Sequence, residues 1–235
     1  INTAQLDSAQ HQLALSIRWL MILREYQFLG ERSRTLEIPA AARLSADLAQ
    51  WQPAQLPPTI REGLAHALTR AIDETPPQQH RQWAERLLLD DNWRELLLAS
   101  PSPSSQALGY RWLVWSENPS QAVGKLTQLA QQQGRNGAGI ELQLASALTD
   151  IATSNQAESQ QALLRSRQLL AKVIANTPSG SEWNWQARWR LIKNQLQQGE
   201  VEAARQSASL LLATQPPQAE LWKARLESLA ALPPR

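Results

Sequence analysis

The chain has 235 residues, 23 Lys and Arg against 21 Asp and Glu, a formal net charge of +2 and no cysteine. A charge so near balance excludes a chain-wide nucleic-acid footprint, and the missing thiols exclude disulfides, a thiolate nucleophile and cysteine-ligated zinc. Ala, Leu, Gln, Arg and Glu dominate while Val, Ile, Thr, Phe and Tyr are sparse, which favours helix over strand nearly everywhere.

In chain order, Leu6, Leu13, Ile17, Leu20, Arg24 and Phe28 keep roughly one helical face and predict a long first helix from Thr3 to Arg34, interrupted or ended near Gly30. Its densest apolar run, Leu13 to Leu23, is too short to span a bilayer and carries Arg18 near its middle, so no membrane span is predicted in this segment. The opening at Ile1, without an initiator Met, suggests a processed product or a segment of something longer. Pro39 is placed as a first-turn residue for a helix to about Gln52, and Pro57 and Pro58 open another that must stop before Pro76 and Pro77. Pro77 starts a short helix through Trp83 and Leu87, and Trp93 to Ala99 form a two-turn helix behind the caps offered by Asp90 to Asn92. The Ser-Pro run from Ser100 to Ser105 is the best internal boundary, separating an α-helical N-terminal region, 1–100, from a C-terminal region, 101–235.

Beyond that boundary helices pair. Ser104 to Glu117, with Leu108, Trp112 and Trp115 on one face, is followed by a helix that Asn118 and Pro119 open and Gly134 closes. Ile140 to Thr153 pairs with Glu158 to Asn176, which Pro178 ends. Ser179 to Ser181 cap the helix containing Trp185; Gly199 turns the chain, Val201, Ala204, Ala208 and Leu211 carry the return helix, and Pro216 stops it. Ala219 to Ala231 supplies a last, unpaired helix.

This last hairpin resembles the tetratricopeptide repeats, whose units are two antiparallel helices with a period of about 34 residues. Gly199 falls at the inter-helix turn, Ala204 where a small residue lets helices approach, Leu211 at the late packing slot, Pro216 at the closing slot, and Trp222 at the aromatic slot of the next unit. In the preceding hairpin Leu170, Val173 and Pro178 match and Ser166 replaces the small Ala; in the first, Ala122, Leu126 and Leu129 match and Gly134 replaces Pro. Arg188 occupies the aromatic slot while Trp185, Trp189, Ile192 and Leu196 form the apolar stripe, so other helical-hairpin repeats fit as well. The resemblance covers about 104–232 and implies an all-α, right-handed superhelix of antiparallel hairpins that presents a concave face to a protein or peptide. Asp91 to Ala107, with its Trp-Leu-Leu-Ser-Pro elements, is also similar to the helical superhelix of soluble lytic transglycosylases; that resemblance implies an accessory helical domain of a cell-envelope enzyme acting on glycans.

Ten Trp could serve as stacking platforms, but Trp112 with Trp115 and Trp185 with Trp189 sit at helical spacing beside Leu and Ile, as inter-helix packing requires. His11, His66 and His80 are isolated, Gly124-Lys125 lacks the upstream Gly of a phosphate loop, and no GxSxG occurs, so no catalytic residue, metal site or cofactor is expected. One charge asymmetry stands out. Between Ser159 and Gly199 six cations, Arg165, Arg167, Lys172, Arg188, Arg190 and Lys193, face one anion, Glu182. Arg190 and Lys193 share one side of their helix, and Gln186 and Gln197 extend it by a turn each way. These four are the predicted peptide-binding residues, for an acidic protein or peptide segment and not for nucleic acid. The expected function is a non-enzymatic interaction module or scaffold.

Overall fold

The computed structural model describes Gln10, Leu13, Ala14 and Ile17, all helical, and residues 54–231 except 55, 74–79, 87–90, 116–117, 135–136, 155–158, 216 and 218–219. The helices predicted over 3–34 and 39–52 otherwise lie outside the described residues, as does the Pro216 stop. The described residues are all-helical and contain no strand. They divide into two compact units at Ala122.

The first unit contains α1 (Pro58–Asp73), α2 (His80–Arg86), α3 (Asp91–Leu98) and α4 (Pro103–Val114). Pro58 has no amide to satisfy, and the Pro57 carbonyl accepts from the amides of Ile60 and Arg61, both at 3.0 Å, so the Pro-Pro pair starts α1 at little cost. Leu64, Leu68 and Ile72 recur every four residues along α1 and are almost wholly buried, as are Leu97, Leu108 and Trp112. α1 packs on α2 and α4, and α3 packs on α4. That second contact is close because α4 offers Gly109 there: an added Cβ would lie 2.9 Å from the Leu98 side chain. The Trp112 indole donates to Thr69 Oγ1 at 2.8 Å, and that hydroxyl donates to the Ala65 carbonyl at 2.7 Å. Arg111 is fully buried and pairs with Asp73 at 2.9 Å.

The Ser-Pro run is a tight turn inside this unit. Ser102 caps α4 by accepting from the Ser105 amide at 3.4 Å, Ser100 Oγ accepts from the Ser102 amide, and Gln106 donates back to the Ser100 carbonyl. The split into compact units lies near Ala122, inside α5 (Pro119–Gln133), with the Ser-Pro run within the first unit. Composition marks turns and is blind to which turns join packed partners.

Glu62 on α1 accepts from the Ser105 hydroxyl at 2.8 Å and lies 3.9 Å from His66 Nε2. Burial holds the His66 imidazole below its ordinary 6.5, Glu62 pulls it up and Arg70 pushes it further down. A depressed folded-state value means that the folded chain binds fewer protons than the unfolded chain as pH drops below 6.5. The urea midpoint of the first unit should therefore fall between about pH 7.5 and about pH 5.5, more steeply than in His66→Gln. Equal slopes for the two proteins would show that His66 titrates alike in both states.

The second unit contains the remainder of α5, α6 (Ala138–Ser154), α7 (Ser159–Asn176), α8 (Glu182–Gln197), α9 (Val201–Thr214) and α10 (Glu220–Ala230). α6 packs on α7, α7 on α8, α8 on α9 and on α6, and α9 on α10. The α8–α9 turn is a Schellman closure: Glu200 N–H reaches the Gln195 carbonyl at 2.9 Å, Gly199 N–H reaches that of Leu196 at 3.0 Å, and Gly199 takes φ +77°. Only a residue without Cβ adopts that angle freely.

Two apolar clusters result. Leu142, Ala145, Leu170, Val173 and Ala187 join α6, α7 and α8. Trp185, Ile192, Ala204, Ala208, Trp222, Leu226 and Leu229 join α8, α9 and α10, with Trp189, Leu196 and Leu211 against them. The stripe predicted from Trp185, Trp189, Ile192 and Leu196 is thus a packing surface. Ala204 has no exposed area. Ala204→Leu should overpack the crossing and cost about 1–3 kcal/mol, read as a lowered denaturation midpoint; an unchanged midpoint would place Ala204 away from any close crossing.

Candidate functional site

α8 is the helix on which the second unit turns. Its N-terminus is set by Ser181, whose hydroxyl accepts from the Asn184 amide at 3.3 Å, with Glu182 in the first turn where the helix dipole favours an anion. Trp185, Trp189, Ile192 and Leu196 face α9 and α10, while Ala187 and Leu191 face α6 and α7. Asn184 and Arg188 point to the back: Asn184 Nδ2 donates to the Ile174 carbonyl at 3.0 Å, and Arg188 donates to Gln215 Oε1 at 2.8 Å. At roughly 100° per residue, Gln186, Arg190, Lys193 and Gln197 occupy the one remaining face, about half a turn from Asn184 and Arg188.

The four predicted site residues therefore share a face, but its surroundings treat them differently. Gln186 is buried, 8% exposed, and donates to Glu182 Oε1 at 2.9 Å. Arg190 is half-buried and its guanidinium donates to the Leu142 carbonyl at 2.6 Å and to the Ser146 hydroxyl, both on α6. Lys193 is half-buried and Gln197 exposed. The accessible part of the face is its Lys193–Gln197 end, with Arg190 held at a fixed orientation beside it.

One residue not singled out from the sequence, Arg225, lies against a side chain at the edge of this face. Arg225 of α10 is 5% exposed, and its guanidinium carbon lies 5.3 Å from the Trp189 ring and 4.8 Å from the Trp222 ring. Such stacking retains a cation out of water at modest cost. Trp189 lies roughly 40° around α8 from Lys193, so this stack forms the edge of the face. At the N-terminal end Glu182 Oε2 accepts from the Trp222 indole at 3.1 Å. Arg188, also of the basic segment, has its pKa lowered by burial. The remaining cations of that segment are engaged elsewhere: Arg165 donates to Thr127, Arg167 to Gln198 and Glu200, and Lys172 to Glu141.

Behind the face lies a buried polar junction that sequence reading also missed. Asn194 Nδ2 donates to Ser166 Oγ at 3.1 Å, Ser166 Oγ donates to the Ala145 carbonyl at 2.9 Å, and Thr149 Oγ1 donates to Asn194 Oδ1 at 3.2 Å. With those directions each hydroxyl uses its single proton once, and the amide is bonded on both its oxygen and its nitrogen. The junction ties α6, α7 and α8 at one register. Asn194→Ala removes one partner from each of the Thr149 and Ser166 hydroxyls, which keep the Ala145 carbonyl and each other within hydrogen-bond reach, and should cost about 0.5–1.5 kcal/mol. Adding Ser166→Ala should then cost less than Ser166→Ala does alone; full additivity in chemical denaturation would show the two side chains to be uncoupled.

Among the described residues no group of three or more His, Asp, Glu or Cys could hold a metal ion, and no helix is long and apolar enough to cross a membrane. No protein-family model, no curated protein and no solved structure matches the chain.

Proposed function

We propose that the chain is a non-enzymatic helical-repeat interaction module, its second unit a right-handed superhelix of antiparallel hairpins of the tetratricopeptide kind, and that the face of α8 bearing Arg190, Lys193 and Gln197 receives a segment of a protein partner. One observation carries this reading: α8 is covered on both flanks and at the back by apolar and hydrogen-bonded contacts, yet its fourth face is lined by long polar side chains. A helix buried on three sides gains most by placing an apolar residue on any further contact face, so polar residues there fit a surface open to water or to a ligand. The packing order, in which each helix from α6 to α10 meets its chain neighbour and α8 also meets α6, supports a stack of hairpins.

The glycan-directed alternative rests on the resemblance of Asp91 to Ala107 to the transglycosylase superhelix and would bring Trp faces near a substrate. Trp93, Trp112, Trp115, Trp185 and Trp222 are buried, and Trp183, 38% exposed, lies against Gly139. Among the described residues these rings pack against neighbouring side chains and backbone, which favours the interaction-module reading.

A photo-crosslinking amino acid at Gln197 should capture a discrete protein adduct in the native cell extract, and the same group at Gln168, exposed on α7, should not. Adducts from Gln168 alone, or the same adducts from both positions, would reject this face as the binding surface.

A further inference from the structure

We draw no further inference here: the strongest candidate, the buried polar side of α6 where the Gln143 carbonyl oxygen is unpartnered among the described residues, carries nothing because nothing in the structure shows what covers it.

Discussion

The close approach of helices at small side chains is the constraint on which the second unit depends. Ala187, Ala204, Ala208 and Ser166 have no exposed area, and each lies where α8 meets a neighbour or where α7 or α9 turns inward. A Cβ without further branches lets two backbones come near enough for the surrounding Trp, Leu and Ile side chains to interlock, and dispersion falls off so steeply that even a small gap forfeits much of it. Gly109 does the same between α3 and α4 in the first unit. Large residues supply the buried area, and small ones decide whether that area can be buried.

The two faces of α8 are held by different physics. Toward α9 and α10 the contact is apolar and dominated by Trp185, Trp189 and Trp222, which confers free energy with little directional demand. Toward α6 and α7 the Asn194–Ser166–Thr149 junction sits among aliphatic residues, and its satisfied bonds contribute only modest net stability. Its value is discrimination. A slip of α8 by one residue would take the buried Asn194 amide away from Ser166 and Thr149, a far larger penalty than the same slip would impose on an apolar contact.

Arginine performs two tasks in this chain that look alike in the sequence. Arg111 is wholly interior, paired with Asp73 and lying 4.8 Å from the Trp115 ring, and Arg225 is wedged between two indoles. Arg190 reaches from α8 to a backbone carbonyl on α6 and still borders the polar face. The long stem lets one residue type cover apolar surface and place a charge at a distance from its own backbone. A count of cations along the chain therefore records charge and not location.

Helix identity, most helix ends and the shared face of Gln186, Arg190, Lys193 and Gln197 were determined by the sequence itself, because each depends on interactions within a few residues: a Pro without an amide, a Gly at positive φ, a Ser accepting from the third amide ahead, and the helical period. The six residues from Ser100 to Ser105 show the limit of that reasoning, since a Ser-Pro turn carries the same local signature whether it separates units or joins two packed helices. Tertiary structure alone decided that α3 and α4 pack together, that Gln186 is enclosed while Gln197 is open, and that Arg225 from α10 stacks on Trp189 and Trp222. Those outcomes depend on which surfaces meet across 30 or so residues of chain, and the meeting is chosen by the summed fit of many weak contacts that no single stretch of sequence contains.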